Sequence, residues 1–212
     1  MISKNAVIYQ GVVLGKNCTV EDYAVIGAIP RGKREGELKT IIGDNAVIRS
    51  HTVIYAGNKI GNNFQTGNKV NIREMNEIGN NVSIGTLSVV EHNVKIGNNV
   101  RIHTQAFIPE YTELEDGVWI GPNVVFTNAL HPLCPKVKEC LKGAIVKKNA
   151  IIGANSTILP DLELGEHCFV AAGSVVVKDV PAGKVVAGNP AKIIKAIDEF
   201  RCPYNLIDSP YK

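Results

Sequence analysis

The chain has 212 residues, a net charge of +3 and 20% charged residues, which suits one soluble domain and is too mild to indicate nucleic-acid binding. No stretch approaches the roughly eighteen apolar residues of a membrane-spanning helix, and no apolar leader precedes the first repeat, so we expect a cytoplasmic protein. In that compartment the five cysteines should be reduced, buried or metal-bound rather than paired in disulfides.

An aliphatic residue at every sixth position dominates residues 42–126. Fourteen of the fifteen positions in this series are large and apolar, and only Thr66 is not. A period of six matches neither an α-helix nor a flat strand. It is typical of short strands joined by corners around a shared interior, which is the parallel β-helix. The register continues over residues 2–26 and 146–176, so we predict an all-β coil roughly 40 Å long with about 18 residues per turn.

The first interruption of the register is residues 28–40, which are rich in proline, glycine and charge. This composition predicts an exposed loop. Its Arg31, Lys33 and Arg34 are either a solvated basic surface or a contact for phosphate.

One corner of the predicted coil should carry a polar column. Residues eighteen apart stack on the same corner, and one such set points outward: Glu74, His92, Glu110 and Asn128. A histidine between two carboxylates is held in place and made more basic, as a general base should be. The alternative interpretation is a solvated polar ladder.

The second interruption is residues 127–145, a loop projecting from a rigid scaffold, which is where function concentrates. It carries His131, Cys134 and Cys140, and Cys202 lies in the tail. Three cysteines and one histidine match the ligand set of a structural zinc site. Chance occurrence of these cysteines in a loop is the alternative.

The predicted domain covers residues 1–180 with its two insertions, and residues 181–212 form a tail packed on the same domain. Pro190 is suited to the first turn of a helix, and apolar residues follow at helical spacing. The sequence therefore predicts a short C-terminal helix over residues 190–200.

The run from residue 153 to residue 194 resembles the closing coils of hexapeptide-repeat acyltransferases, and almost the whole chain shares the repeat. This resemblance implies a left-handed parallel β-helix, a homotrimer with active sites between subunits, and acetyl-CoA as the acyl donor. It also implies that small residues meet the pantetheine arm and that the adenine end lies near the tail. By position these residues are Gly153, Ala154, Ala171, Ala172, Gly173 and Ser174 for the arm, and Lys178, Pro181 and Lys192 for the adenine end.

The residues around the predicted active site resemble several branches of this family. His103, Thr104 and Gln105 match polar site residues of sugar-nucleotide N-acetyltransferases. His131 matches the catalytic histidine of galactoside and maltose O-acetyltransferases. His92 matches the base of bacillosamine-type enzymes, although Asn93 stands where those enzymes have an acidic residue. Three histidines therefore remain candidates for the base, and Gln105, Glu110, Asn128 and Thr104 are candidates for binding the acceptor.

Two other classes stay open. A β-helix can serve as a non-catalytic scaffold or binding module. γ-Class carbonic anhydrases share the fold but need a His-x4-His pair, which is absent among His51, His92, His103, His131 and His167. We expect an acetyl-CoA-dependent acyltransferase that N-acetylates an amino sugar on a nucleotide for surface glycan synthesis. O-acetylation of a sugar hydroxyl is the alternative, and it would require a firm histidine base.

Overall fold

The computed structural model describes residues 1–211. The chain winds through three sheets in turn, and each complete turn is one coil. Sheet 1 contains β1 (Val7–Ile8), β4 (Val25–Ala28), β7 (Val53–Tyr55), β10 (Asn71–Ile72), β13 (Val89–Val90), β16 (Phe107–Ile108), β19 (Val125–Phe126), β22 (Thr157–Ile158) and β25 (Val175–Val176).

Sheet 2 contains β2 (Val12–Leu14), β5 (Thr40–Ile42), β8 (Lys59–Ile60), β11 (Glu77–Ile78), β14 (Lys95–Ile96), β17 (Glu113–Leu114), β20 (Ile145–Val146) and β23 (Glu163–Leu164). Sheet 3 contains β3 (Thr19–Val20), β6 (Val47–Ile48), β9 (Gln65–Thr66), β12 (Ser83–Ile84), β15 (Arg101–Ile102), β18 (Trp119–Ile120), β21 (Ile151–Ile152), β24 (Phe169–Val170), β26 (Lys184–Gly188) and β27 (Ala191–Ala196).

The sixfold period sets the interior. In nearly every two-residue strand the second residue points inward and is buried, while the first faces outward. The parallel register Ile84↔Ile102 confirms that one coil takes eighteen residues. At the corners the chain turns through a residue of left-handed conformation, such as Asn81 and Asn99 with φ of 57° and 58°. Asparagine tolerates this conformation better than most residues, which explains its recurrence.

The three corners are named by the sheets they join: the 1/2, 2/3 and 3/1 corners. Both insertions leave the coil at the 1/2 corner, because residues 28–40 join β4 to β5 and residues 127–145 join β19 to β20. The second insertion contains a short 3₁₀ helix, Val137–Glu139. In the first, Glu35 accepts a hydrogen bond from the Gln10 backbone at 3.1 Å, so this part of the loop folds back on the first coil.

The predicted helix over residues 190–200 is wrong. Strand β27 runs antiparallel to β26 and forms the outer edge of sheet 3, and only Ile197–Glu199 forms a 3₁₀ turn. The last coil would otherwise expose unpaired N–H and C=O groups, which an added strand satisfies and a packed helix does not. Ile193 and Ile194, two of the apolar residues that suggested a helix by their spacing, are 55% and 58% exposed. Among residues 1–211, none of the helices has the length and apolar character needed to cross a membrane.

Candidate functional site

The outer faces of the three sheets differ in chemistry. On sheet 2, acidic and basic side chains alternate between neighbouring strands, with Lys59–Glu77 at 3.3 Å and Lys95–Glu113 at 2.7 Å. A face whose charges pair within the chain is suited to solvent. Such exposed pairs contribute little stability.

The outer face of sheet 1 is apolar. Its outward positions include Val53, Val89, Phe107 and Val125, which are half-buried or exposed. Leu87 on the 3/1 corner and Tyr111 on the 1/2 corner extend this surface and are 47% and 44% exposed. A contiguous apolar surface bordered by polar corners indicates an interaction site.

The polar column predicted from the eighteen-residue spacing lies on the 1/2 corner. His92 Nε2 is 3.5 Å from Glu110 Oε1, and Asn128 donates to Glu110 Oε2 at 2.5 Å. Asn93 Nδ2 lies 2.9 Å from His92 Nδ1. An amide on one ring nitrogen and a carboxylate near the other hold the imidazole in place, as an acid–base group requires.

Arg73 organises the carboxylates of this corner. It donates to Glu74 at 2.9 Å and 3.1 Å, approaches Glu91 at 3.5 Å and lies over the Tyr55 ring at 5.0 Å. Burial raises the pKa of the Glu91 carboxyl, and Arg73 only partly opposes this. Burial also disfavours ionised Glu74, but hydrogen bonds from Arg73 and from its own backbone outweigh it, so the Glu74 pKa is lowered. Sequence reasoning missed Arg73.

The predicted zinc site is not assembled. His131, Cys134 and Cys140 line one cavity of about 390 Å³ in the second insertion, and Cys202 does not reach it. The tail crosses the end of sheet 3 as a strand instead of running back along the coil. Backbone N–H groups of Leu206 and Tyr204 face the Cys202 thiol and lower its pKa. Among residues 1–211, no three His, Cys, Asp or Glu side chains converge on a possible metal position.

The 3/1 corner carries the small residues predicted to meet the donor. On the 2/3 corner the turning N–H groups of the coils from Lys16 to Asn98 are capped by a side chain of the next coil, as when Asn62 N donates to Asn80 Oδ1 at 2.8 Å. At Ala154 the next coil supplies Ala172, which has no side-chain acceptor. In the described chain, the N–H groups of Ala154 and Ala172 donate to no protein acceptor. A Cβ at Gly173 would meet open space.

An aromatic groove runs beside this corner on the outer face of sheet 3. Its volume is about 610 Å³, and its walls include Trp119, Phe169, Gly153, Ala154 and Ala172. The tail contributes two further residues to its lining, Ile197 and Tyr211. The Phe169 and Tyr211 rings are 5.7 Å apart. The corner and the groove together form an apolar channel edged by free backbone donors.

His103, Thr104 and Gln105 occupy the same 3/1 corner, two coils before Gly153. The His103 ring folds onto sheet 3 and lies 4.6 Å from the Trp119 ring, centroid to centroid. His103 therefore stands at the mouth of the groove, whereas His92 and His131 belong to the 1/2 corner. A single chain does not bring the three histidines together.

The remaining predicted donor residues are dispersed. Ser174 is buried and donates to the Ala171 carbonyl at 2.6 Å, so it is closed to a ligand. Lys178 follows β25 at the 1/2 corner, and Pro181 lines a separate recess with Glu163 and Glu166. Lys192 lies on β27 opposite Ala187. The structure does not bring these three to the groove.

The groove residues Trp119 and Phe169 were missed by sequence reasoning. The signal was available, because Arg101, Trp119, Ile151 and Phe169 are successive outward positions of sheet 3, directly before the buried residue of each strand.

Comparisons with known proteins agree with the repeat. The family described as bacterial transferase hexapeptide (six repeats) matches residues 77–110 and 143–178, and hexapeptide repeat of succinyl-transferase matches residues 2–28. A 2,3,4,5-tetrahydropyridine-2,6-dicarboxylate N-acetyltransferase from Clostridium perfringens is 49% identical over 82 residues, which is 39% of this chain and 32% of the relative. The Staphylococcus aureus protein of that name is 39% identical over 84 residues, 40% of this chain and 33% of the relative.

The chain thus spans about a third of the length of the curated relatives it matches. Among solved structures, UDP-N-acetylglucosamine acyltransferase from Francisella novicida superposes with a TM-score of 0.78 at 18% identity, covering 92% of this chain and 70% of that one. At this identity the likeness concerns the fold. The matched repeats make the chain similar to bacterial hexapeptide-repeat transferases, and its three-sheeted coil is the left-handed parallel β-helix fold.

Proposed function

We propose that the protein is an acyl-CoA-dependent acyltransferase that transfers an acetyl group from acetyl-CoA to an amine. The observation that carries this proposal is the pair of free N–H groups at Ala154 and Ala172 beside the aromatic groove. A pantetheine arm offers amide carbonyls that such donors would bind, and a corner without side chains lets it approach the backbone. The relatives from Clostridium and Staphylococcus are named N-acetyltransferases, which supports transfer to nitrogen over transfer to oxygen.

Two acceptor classes are consistent with these features. One is a nucleotide-linked amino sugar, which follows from the resemblance of residues 103–105 to sugar-nucleotide enzymes. The other is a dicarboxylate, which follows from the names of the curated relatives. Both carry an amine or imine nitrogen and negative charge.

The apolar face of sheet 1 supports a homotrimer. Its two edges are the 3/1 corner and the 1/2 corner. In a closed ring each chain presents different surfaces to its two neighbours. Three chains with sheet 1 facing the axis would therefore join the 3/1 corner of one chain to the 1/2 corner of the next. This arrangement would place His92, Glu110 and Asn128 of one subunit opposite Ala154, Ala172 and His103 of its neighbour.

Acyl transfer from a thioester to an amine requires few catalytic groups from the protein. A neutral amine would attack the acyl carbon of the donor thioester and form the C–N bond; the C–S bond would then break and release CoA as its thiolate, which takes up a proton to become the thiol. Neutral His103 or His92 would accept the proton that the amine loses, and backbone N–H groups of the small-residue corner would stabilise the developing oxyanion. Gln105, Thr104, Glu110 and Asn128 would orient the acceptor. His131 remains a third candidate base.

The donor site is tested by thermal unfolding with and without acetyl-CoA. Ala172→Asn supplies the acceptor that caps equivalent N–H groups on the 2/3 corner, so it should preserve the fold but abolish both the stabilisation and thiol release. Asn80→Ala removes such a cap elsewhere and should leave the acetyl-CoA effect intact. No stabilisation of the natural protein at millimolar acetyl-CoA would refute the proposal.

Shared sites are tested by complementation. His92→Asn and Ala172→Asn chains should each be inactive as pure trimers if His92 is the base. Co-expression of the two variants should restore activity. In a mixed trimer, some sites combine the natural 3/1 corner of a His92→Asn chain with the natural His92 of an Ala172→Asn chain. If both pure variants are inactive and the mixed trimers are inactive as well, the result would contradict an active site built between subunits.

A further inference from the structure

Arg101 lacks the ion pair that its position would lead one to expect. It faces outward on sheet 3, with Ser83 and Trp119 as its neighbours in register. The lysines at outward positions of sheet 2 each face a carboxylate, as Lys95 faces Glu113. Among residues 1–211, Arg101 makes neither a salt bridge nor a side-chain hydrogen bond. Its charge is therefore available to a ligand.

Arg101 lies in a recess built for polar contacts. The recess has a volume of about 200 Å³, and its outward polar side chains come from neighbouring coils: Gln65, Ser83, Arg101, His103 and Thr104. None of the residues that line it is acidic. Hydroxyl, amide and imidazole groups around an uncompensated guanidinium match the requirements of a carboxylate or phosphate, which accepts hydrogen bonds on every oxygen.

The recess adjoins the groove proposed for the donor. His103 lines the recess and its ring contacts Trp119, which lines the groove. Gly153 lies two coils beyond His103, a distance of roughly 10 Å at the usual strand spacing. A ligand whose anionic group is bound at Arg101 would therefore reach toward the thioester end of the donor along the 3/1 corner.

We infer that Arg101 is the specificity-determining residue for the acyl acceptor and binds its carboxylate or phosphate group. This inference rests on the proposed function. The planar guanidinium makes two parallel hydrogen bonds to such a group, while Gln65 and Ser83 complete its contacts. The acceptor is accordingly an anionic amine, and His103 lies beside the nitrogen that is acylated.

The chain provides its own reporter for this site. Trp119 is the only tryptophan, and it contacts His103 at the edge of the recess. Titration with inorganic phosphate, an amino dicarboxylate and an amino-sugar phosphate, followed by tryptophan fluorescence, should give a saturable change with at least one anion. A neutral amino sugar should give none. Because this assay needs neither donor nor turnover, it separates the inference from the proposed function.

Variants make the test specific. Arg101→Met should weaken anion binding roughly ten- to a hundredfold, as expected for loss of charge-assisted hydrogen bonds, and Arg101→Lys should restore part of it. Lys95→Met removes a cation from sheet 2 and should change nothing. In turnover assays Arg101→Met should raise KM for the acceptor while stabilisation by acetyl-CoA is retained.

The outcomes are distinguishable. Anion binding that is absent in the natural protein, or unchanged in Arg101→Met, overturns the inference even if acetyl-CoA stabilises the protein. Equal KM values for charged and neutral acceptors overturn it as well. If an anion binds saturably but acetyl-CoA has no effect, Arg101 still belongs to an anion-binding site. The proposed function is then refuted, and so is the conclusion that the bound anion is an acyl acceptor. The dicarboxylate and the sugar phosphate identify which anion the recess takes.

Discussion

Thr66 is the one break in the aliphatic series, and the structure explains it by a buried hydrogen-bond relay. The Arg49 backbone donates to Thr66 Oγ1 at 2.9 Å, the Thr66 and Thr52 hydroxyls are 3.2 Å apart, and Thr52 donates to the Gly67 carbonyl at 3.1 Å. Thr66 thus donates to Thr52 and accepts from Arg49. Thr66 and Thr52 are 5% and 0% exposed, so water does not replace these partners.

Thr66→Val conserves volume and restores an apolar residue at the sixfold position, yet we expect it to destabilise the protein. The Arg49 N–H loses its acceptor and the Thr52 hydroxyl loses a donor. Leaving a buried group unsatisfied costs about 1–3 kcal/mol. Urea unfolding at one fixed protein concentration measures the change in the free energy of unfolding.

Two further variants make this result interpretable. Ile84→Val, one coil along on sheet 3, should cost about 0.5–1.5 kcal/mol through lost packing alone. In a Thr52→Val background, Thr66→Val should cost less, by about the 0.5–1.5 kcal/mol of a single hydrogen bond. A Thr66→Val or Thr66→Ile protein at least as stable as the natural one would refute the relay as the reason for the break.

Three other measurements follow from the structure. Phe107→Glu should dissociate the proposed homotrimer in sedimentation, because it would bury charge in the apolar face of sheet 1, whereas Lys95→Glu on sheet 2 should not. A natural protein that is not trimeric, or a trimer that survives Phe107→Glu, would contradict the proposed interface. Burial raises the Glu91 pKa above 4.5 in the folded chain, so the folded state holds the proton more tightly and stability falls as pH rises past the unfolded value. Glu91→Gln should therefore stabilise the protein at pH 7 relative to its effect at pH 4, and an equal effect at both pH values would count against the burial argument. Since no metal cluster forms among residues 1–211, a strong chelator should leave the unfolding midpoint unchanged, and a lowered midpoint would revive zinc binding at Cys134 and Cys140.

The polar column on the 1/2 corner shows which contacts the eighteen-residue spacing predicts and which it does not. Eighteen residues per coil is enough to stack Glu74, His92, Glu110 and Asn128, and the contact between His92 and Glu110 follows from that stacking. The role of Arg73 does not follow, because its pairing depends on side-chain directions around Tyr55 and Glu91.

The tail shows where local pattern fails. Residues 190–200 have an apolar spacing that a helix could use, but the exposed edge of the final coil imposes a strand. The same strand carries Cys202 past the end of sheet 3. Cys202 therefore does not reach the cavity that His131, Cys134 and Cys140 line, and the predicted zinc site does not assemble.

The sequence by itself determined the coil, its register and the positions of its corners, because a sixfold repeat repeats the same local geometry and leaves no choice of partner strand. It also determined that two insertions leave the coil and that small residues occupy positions 153–154 and 171–174. Only the tertiary structure decided that both insertions share the 1/2 corner, that Trp119 and Phe169 form a groove with the tail, and that Arg101 stands without a counterion. Those features depend on outward side chains and on a C-terminal segment outside the repeat, where contacts between distant residues set the outcome.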